Sequence, residues 1–371
     1  MAKLKLQLAK PDLVLLATVI VLTIFGLVMI YNASVVQALR DFADKYYFLK
    51  LQIVWAAIGL AALMFFSQFD YHHLRSLSTL LIIVGIVLLV VILIPGVASE
   101  VYGAKRRIDL GPVTIQPAEL IKISYVLYLA SWLAKLTRNG GQSMLTLFLT
   151  LTAVIVGLVL LEPDLGTAAV IVATGLVIYF AAGAPIKYFL LLGPGAVAAA
   201  LIFALSAPYR INRLLAFINP LRDPQGSSYH INQILIALAN GGLFGLGFGQ
   251  SKQKYEYIPE VATDSIFAII AEEIGFVGAV IIISLFLLFL FRGFKIARDA
   301  PDKFGEILAL GITTWIGLQA VINLSAMVAL LPLTGIPLPF ISYGGSALIT
   351  TMVAVGILLN ISRQQVATTQ K

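Results

Sequence analysis

Long uncharged apolar segments constrain this chain more than any other feature. The segment from Leu13 to Ile30 has no charged residue and is long enough to cross roughly 30 Å of hydrocarbon. It also exceeds the roughly 7–15 apolar residues of a cleaved signal peptide. The 371 residues are 60% hydrophobic and 12% charged, with a mean hydropathy of +0.98. These values predict an integral membrane protein.

Ten apolar runs have the length of a membrane-spanning helix. An even number of spans places both termini on one side, and the segments of that side carry 13 Lys or Arg residues. The other side carries six when the 207–263 loop is set aside, because the positive-inside rule gives long loops little weight. We predict an all-α, multi-pass protein with cytoplasmic termini, one domain over 1–371 and a large extracytoplasmic loop at 207–263, between spans 7 and 8. The runs are 13–31, 51–68, 76–95, 118–134, 144–161, 166–183, 187–206, 265–291, 307–330 and 343–362.

Composition and missing motifs exclude several functions. The chain has no cysteine and only three histidines, which excludes disulfides, thiolate nucleophiles and cysteine-bound zinc. It has no P-loop, no G-x-S-x-G and no H-E-x-x-H motif. In a membrane protein the net charge of +7 indicates contact with anionic lipid headgroups, and we expect no nucleic-acid partner.

Asp264 is the acid that most needs an explanation. It follows a polar loop and directly precedes the apolar residues from Ile266 onward. A structural interpretation is a helix N-cap, provided by Thr263 or Asp264. A functional interpretation is a general base, because partial burial raises the pKa of a carboxyl group toward neutral pH. The sequence leaves both interpretations open.

Further ionisable residues lie inside the predicted spans. Glu272 comes eight residues after Asp264, on roughly the same helix face, and Glu273 points elsewhere. Glu119 and Lys122 are one helical turn apart and can neutralise each other. Such residues either form hydrogen bonds between helices or line a polar cavity.

Cationic and backbone features accompany these acids. Lys105, Arg106 and Arg107 precede the fourth span, and Arg210 and Arg213 follow the seventh, so all five suit a lipid headgroup or a pyrophosphate. The turn formed by E-P-D-L-G, residues 162–166, is explained by its Pro and Gly. The uncharged segment 331–346, which includes Ser342, has three prolines and three glycines; we interpret it as a re-entrant wall of a cavity.

These motifs together resemble one family. The chain is similar to the SEDS proteins (shape, elongation, division and sporulation) over nearly its whole length. It resembles FtsW and its sporulation relative more than RodA, which stays a close alternative, and the run from Gly249 to Glu260 favours FtsW. The matching segments are R-R-I-D-L-G-P-V-T-I-Q-P-A-E, E-P-D-L-G-T, Y-R-I-N-R-L-L-A-F-I-N-P-L-R-D-P-Q-G, G-G-L-F-G-L-G-F-G-Q-S-K-Q-K-Y-E-Y-I-P-E-V-A-T-D and P-L-T-G-I-P-L-P-F-I-S-Y-G-G-S.

The resemblance implies a peptidoglycan glycosyltransferase that polymerises lipid II at the outer face of the bacterial cytoplasmic membrane. The partners implied are lipid II, the growing glycan strand, a class B penicillin-binding protein and other divisome or elongasome membrane proteins. Two segments depart from the family pattern. Ala262 to Ser265 reads A-T-D-S where the family has H-T-D-F, and Arg107 stands in place of tryptophan.

The resemblance places the family's essential aspartate at Asp264, which would take a proton from the acceptor sugar. No cofactor is certain, although a divalent cation, Mg or Mn, that bridges Asp264 and the pyrophosphate stays open. The residues assigned to substrate binding are Lys105, Arg106, Glu119, Lys122, Arg210, Arg213, Glu272 and Ser342.

Two other functions compete with polymerisation. A lipid II flippase would use Glu119, Lys122, Glu272 and Glu273 as a polar pathway through the bilayer. A non-catalytic scaffold would recruit the penicillin-binding protein through exposed helix faces. Charges on the outer loops favour the enzyme over a flippase. A scaffold would not need an acid, Asp264, at the end of the loop that contains the Gly-rich segment 241–249. The sequence does not distinguish roles in division, elongation and sporulation.

Overall fold

The chain is mostly helical in a computed structural model that describes residues 10–101, 104–109, 114–136, 143–255 and 257–364. Twelve helices and three short strands lie in these residues. The helices are α1 Leu13–Phe42, α2 Tyr47–Gln68, α3 Tyr71–Ile92, α4 Pro117–Leu136, α5 Ser143–Leu161, α6 Leu165–Ala181, α7 Ile186–Ala204, α8 Pro208–Ile218, α9 Tyr229–Gly241, α10 Ile266–Arg298, α11 Lys303–Met327 and α12 Gly345–Arg363; the strands are β1 Ser99–Val101, β2 Ala104–Asp109 and β3 Thr114–Ile115.

Every predicted apolar run coincides with a helix. Within the described residues, seven helices are long and apolar enough to cross a membrane: α1, α2, α3, α7, α10, α11 and α12. Helices α5 and α6 are apolar but shorter in the residues described, and α4 carries three charged side chains. The chain is therefore a multi-pass membrane protein.

The helices form one bundle in which α11 is central. It packs against α4, α6 and α10, and its Trp315 is fully buried. Helix α12 packs along α2, and α3 packs along α4. Many side chains on the outer helices are apolar and exposed, among them Leu80 and Phe291, as expected where a helix faces lipid.

A small antiparallel sheet lies between α3 and α4. Strand β2 pairs with β1, where Ser99 is opposite Arg107, and with β3, where Ile108 is opposite Ile115. The all-α expectation is therefore incomplete. Each of the three segments is too short to be predicted as a strand by itself. Strand β2 forms only because β1 before it and β3 after it supply hydrogen-bonding partners.

The segment 207–263 contains two helices. Helix α8 begins with Pro208, whose missing N–H suits the first turn of a helix. Helix α9 buries Ile231, Ile234 and Ala237. The Gly-rich segment 241–249 follows α9 directly.

Helix α10 is interrupted at Gly275, and the Gly-rich segment fills the interruption. Gly275 has φ 67° and ψ −166°, which breaks the helical hydrogen bonding on both sides. A Cβ atom on Gly275 would overlap the backbone nitrogen of Gly245. Four backbone groups of α10 beside the interruption pair with the Gly-rich segment: Leu246 N–Glu272 O 3.0 Å, Gly247 N–Glu273 O 3.0 Å, Phe276 N–Gly242 O 2.9 Å and Val277 N–Leu243 O 3.1 Å.

Replacing Gly275 with alanine tests this arrangement. Gly275→Ala adds a side chain at a positive φ and against a neighbouring backbone, so we expect a loss of about 2–4 kcal/mol of stability. Gly157→Ala, on an exposed face of α5 with open space around its Cβ position, is the matched control and should change little. Thermal unfolding in detergent measures both. Equal unfolding temperatures for the two variants would contradict the interpretation.

Candidate functional site

Two cavities adjoin beside the start of α10. They have volumes of about 370 and 330 Å³. Arg213, His230, Asp264 and Gly335 line both of them. The larger cavity is also lined by Arg106, Arg107, Glu260, Thr263 and Tyr343.

Asp264 is fixed at the boundary between these cavities. It lies two residues before α10 begins, and its backbone oxygen accepts a hydrogen bond from Asn323 Nδ2 at 2.8 Å. The same nitrogen donates to Ile336 O at 2.8 Å, which ties the segment 331–346 to the Asp264 loop. Tyr343 N adds a bond of 2.9 Å to Ala262 O. Asp264 does not cap α10, because residue Ser265 occupies the N-cap position and gives no side-chain cap bond.

Burial, with a contribution from the nearby Glu260 carboxylate, raises the pKa of the Asp264 carboxyl group to about 7. Arg213 acts in the opposite direction. The side chain is only 8% exposed. Asp264 therefore exchanges its proton near neutral pH, as a general base requires.

The E-P-D turn holds Arg106 at the larger cavity. Arg106 Nε donates to Glu162 O at 3.1 Å, and Nη2 donates to Pro163 O. Its Nη1 lies 4.0 Å from Asp164 Oδ2. Asp164 is also the N-cap of α6, where it accepts a hydrogen bond from Thr167 N at 2.9 Å. One carboxylate therefore both caps α6 and faces the Arg106 guanidinium.

Glu162 is the other acid of this turn, and it is fully buried. Neither of its carboxylate oxygens has a hydrogen-bond partner among the described residues. Burial raises the pKa of Glu162 to about 8, and the neighbouring Asp164 adds to the effect while Arg106 opposes it. Glu162 does not line either cavity.

Of the other cations assigned to substrate binding, Arg213 lies at the cavities and Arg210 does not. Arg213 lines both cavities, and its Nη1 donates to Leu333 O at 3.2 Å. Arg210 lies outside them, stacked 3.6 Å from the Phe203 ring centre and bonded to Ser206 Oγ at 2.9 Å. The side chain of Lys105 is outside the part of the chain that the structure describes.

Comparisons with known proteins agree with this fold and site. A profile described as "Cell cycle protein", of the FtsW, RodA and SpoVE group, matches residues 12–367. The chain belongs to the FtsW/RodA/SpoVE family. It is 43% identical over 356 residues to stage V sporulation protein E of Bacillus subtilis strain 168, covering 95% of this chain and 97% of that protein. It is 40% identical over 362 residues to a probable peptidoglycan glycosyltransferase FtsW of Trichlorobacter lovleyi, covering 96% and 94%.

Solved structures of this family have the same fold. One, described as the structural coordination of polymerization and crosslinking by a peptidoglycan synthase complex, has a TM-score of 0.77 at 30% identity and covers 95% of this chain and 98% of that chain. The rod shape determining protein RodA of Thermus thermophilus has a TM-score of 0.71 at 30% identity and covers 97% and 98%. The predicted family membership is confirmed.

Several residues assigned to substrate binding lie away from the cavities of this family member. Lys122 Nζ donates to Glu119 Oε1 at 2.8 Å and to Gln319 Oε1 at 2.7 Å, and it lies 5.3 Å from the Trp315 ring centre. Glu119 and Lys122 are at most 2% exposed. The pair therefore joins α4 to α11 instead of lining either cavity.

Glu272 and Glu273 form a second buried cluster, beside the interruption of α10. Glu272 accepts from Ser251 Oγ, from Gln253 N at 3.3 Å and from Asn240 Nδ2 at 3.2 Å. Of the two roles that the sequence leaves open for Glu272, the structure supports hydrogen bonding, because its carboxylate contacts the segment 249–254 and does not line either cavity.

Glu273 fixes the same segment from its other side. It accepts from Gly249 N at 3.0 Å, from Asn32 Nδ2 and from Lys254 Nζ at 3.4 Å. Lys254 Nζ also donates to Asn32 Oδ1 at 2.9 Å. This cluster joins α1, α10 and the loop that leads to Asp264.

Ser342 also has a structural partner. Its Oγ accepts a hydrogen bond from Leu338 N at 2.8 Å and closes a turn in the segment 331–346. It does not line either cavity, but Gly335, Pro337 and Tyr343 of the same segment do. The segment 331–346 therefore forms part of a cavity wall, as predicted, but Ser342 is not one of the residues that line the cavity.

His230 and Glu260 are cavity residues that the sequence interpretation missed. His230 is on α9, 34 positions before Asp264, so only the packing of α9 onto α10 brings it to the site. Its Nε2 lies 2.8 Å from Ser265 Oγ. Glu260 lies four positions before Asp264. This closeness to a candidate base was the one sequence signal that could have identified Glu260 as a cavity residue.

Glu162 gives a testable pH dependence. Its pKa in the folded protein, about 8, is above its ordinary value of 4.5, so the folded state holds a proton that the unfolded state has lost between these pH values. Stability therefore falls as the pH rises through this window. Glu162→Gln removes the effect, and we expect the variant to gain about 1–3 kcal/mol over the parent at pH 8 and little at pH 5.

Thermal unfolding at both pH values in detergent measures this difference. Glu306→Gln, which removes an exposed acid paired with Lys303 at 2.9 Å, is the control and should show no such trend. A glutamine variant at 162 whose stability relative to the parent is independent of pH would contradict the assignment.

Proposed function

We propose that this protein is a peptidoglycan glycosyltransferase that polymerises lipid II into β-1,4-linked glycan strands. The observation that carries the proposal is Asp264, a buried acid that exchanges its proton near neutral pH and reaches two adjoining cavities. Two glycolipids, a donor and an acceptor, have to meet at one base in this reaction. Relatives with 38–40% identity over nearly the whole chain are named probable peptidoglycan glycosyltransferase.

Asp264 acts as the general base. It takes the proton of the 4-hydroxyl group of the acceptor N-acetylglucosamine while that oxygen attacks C1 of the donor N-acetylmuramic acid. The bond between C1 and the α-linked pyrophosphate breaks, and a β-1,4 bond forms with inversion. One base is sufficient for an inverting reaction because the leaving pyrophosphate is a weak base and needs charge stabilisation more than a proton.

Arginine side chains provide this charge stabilisation. Arg106 is held by two backbone carbonyl groups and faces the larger cavity, and Arg213 lies between the two cavities. Guanidinium groups bind phosphate oxygens in a forked geometry. We assign the pyrophosphate to these two residues. Lys105, whose side chain is not described, and Arg210 keep their predicted roles in binding the headgroup.

The divalent cation, Mg or Mn, stays a prediction. In the described parts of the chain, no group of three or more His, Cys, Asp or Glu side chains is arranged to hold an ion. The Glu260 carboxylate beside the site already accepts from Thr263 Oγ1 at 2.6 Å. Asp264 and Glu260 are the carboxylates that line the larger cavity, so an ion there would also need oxygen ligands from the pyrophosphate, and we derive no step through Mg or Mn.

The membrane arrangement follows from the same proposal. All ten apolar helices, α1 to α7 and α10 to α12, cross the cytoplasmic membrane as a single domain with both termini in the cytoplasm. The segment 207–263 then lies outside, where the headgroup of lipid II is polymerised. Helices α4, α5 and α6 are supported as spans by their packing inside the bundle.

The partner we propose is a penicillin-binding protein of class B, within a division or elongation complex. A solved relative is described as a peptidoglycan synthase complex that coordinates polymerization and crosslinking. A second, crosslinking protein suits this function because a polymerase alone leaves the peptides unlinked. The growing glycan strand and lipid II are the substrates.

Asp264→Asn tests the base directly. With purified lipid II, the variant should lose polymerisation by about 100-fold or more, because asparagine cannot accept the proton. Asp223→Asn is the control, since Asp223 is an exposed acid of the same loop that accepts from Ser227 N at 2.7 Å. Both are measured with and without the partner. Polymer formed equally by parent and Asp264→Asn would remove the assignment, and lipid crossing vesicles without polymer would favour a flippase.

The rate should also depend on pH. The base must be deprotonated, and its pKa is raised to about 7, so kcat should fall as the pH is lowered through about 7. The carboxyl group of an unperturbed aspartate would give this fall near pH 4. A rate profile that is level from pH 8 to pH 5 would show that Asp264 is not the titrating base.

A further inference from the structure

Asp264 Oδ1 has two hydroxyl groups close to it, and they differ in what they can donate. Thr263 Oγ1 lies 3.4 Å away and Ser265 Oγ lies 3.5 Å away. A hydroxyl group has one hydrogen. Thr263 Oγ1 is much closer to Glu260 Oε2, at 2.6 Å, so its hydrogen is directed to Glu260. Ser265 is therefore the hydroxyl group whose hydrogen is available to Asp264.

The direction of the Ser265 hydrogen depends on His230. Ser265 is fully buried, and His230 Nε2 lies 2.8 Å from its Oγ. Burial and the nearby Arg213 lower the pKa of His230 to about 4, so the ring is neutral and has one N–H. When Nε2 carries the hydrogen, it donates to Ser265 Oγ, and the serine hydrogen can turn to Asp264. When Nδ1 carries it, Nε2 accepts the serine hydrogen and Asp264 loses its donor.

The other oxygen of Asp264 is turned toward the substrate side. A Cβ atom built on Gly335 would lie 3.8 Å from Asp264 Oδ2 and 3.9 Å from Arg106 Nη1. Both atoms therefore border the same part of the larger cavity. The charged and titratable groups that line the larger cavity with Asp264 are Glu260 from its own loop, Arg213 from α8, His230 from α9, Arg106 and Arg107 from β2, and Tyr343 from the segment 331–346.

We propose that His230 and Ser265 are positioning residues for Asp264: Nε2–H of His230 donates to Ser265, and the Ser265 hydroxyl group donates to Asp264 Oδ1. This chain keeps one carboxylate oxygen occupied and leaves Oδ2 free to take the proton in the cavity. A base oriented by a second and a third group is a recurring arrangement in catalysis. The role of the pair rests on the proposed glycosyltransferase function, but its hydrogen bonding does not.

Kinetic variants test the role of the pair. Ser265→Ala should lower kcat roughly 10- to 100-fold, because the carboxylate loses its orientation, and should leave KM for lipid II unchanged. His230→Leu should lower kcat similarly, and His230→Gln should restore much of it because its amide also donates an N–H. The double variant His230→Leu with Ser265→Ala should be no slower than Ser265→Ala alone, since both changes break one chain.

His73→Leu is the matched control, because His73 is an exposed histidine on α3. It should keep the kcat of the parent. Independent, additive losses in the double variant would overturn the proposal, as would a KM effect without a kcat effect. Unfolding temperatures of all variants are compared with the parent, so that a loss of folded protein is not counted as a loss of kcat.

The tautomer of His230 is a second test that needs no activity. The chain has only three histidines, so ¹⁵N-histidine labelling of the whole protein in detergent gives few signals, and the His230→Gln variant identifies the signal of His230. We expect a neutral ring with the hydrogen on Nε2 at pH 7. A hydrogen on Nδ1, or a doubly protonated ring, would overturn the proposal even if Ser265→Ala does not fold.

The two tests separate this proposal from the proposed function. If the parent protein forms no polymer, the glycosyltransferase assignment fails, while the tautomer still decides the hydrogen bonding of the pair. If the parent is active and Asp264→Asn is not, but the variants of His230 and Ser265 keep the parental kcat, only the positioning role fails.

Discussion

The site depends on the interruption of α10 at Gly275. A helix that is broken inside a membrane protein leaves backbone N–H and C=O groups without partners, and each costs several kcal/mol in an apolar environment. Here the segment 242–247 supplies those partners from its own backbone. Because both sides of this contact are backbone, the distances allow no side chain at Gly245 or Gly275. The Gly-rich segment is therefore anchored to α10, and the loop that follows it begins from a fixed position.

Buried charges strengthen the same anchor. Glu272 and Glu273 hold the segment 249–254, and Lys254 provides the cation beside Glu273. Removing one partner of a buried ion pair leaves an uncompensated charge at a cost of about 3–5 kcal/mol, so these residues are mutually required. Asp264 follows Lys254 by ten positions. The cluster thus restricts where Asp264 can lie, although it never contacts the cavities.

The sequence predicts those features that depend on local pattern. Apolar runs have a length set by the bilayer, so each one coincides with a helix, and Asp264 was identifiable because polar chain changes abruptly to apolar chain at that residue. The partners of Glu272 and the contribution of His230 were not predictable in this way. They depend on how α9 and a Gly-rich segment without periodicity pack against α10. The short β2 strand likewise depends on two pairing partners outside its own run.

Asp264 and Glu162 show that acidity alone does not identify a base. Burial raises the pKa of both side chains to near or above 7, and both lie at the same end of the bundle, linked through Arg106. Glu162 contributes its backbone carbonyl to Arg106, while its carboxyl group faces no cavity. A general base must come within about 3 Å of the proton that it takes. Access to the two cavities, and not the raised pKa, therefore separates the residue suited to catalysis from the one that orients a cation.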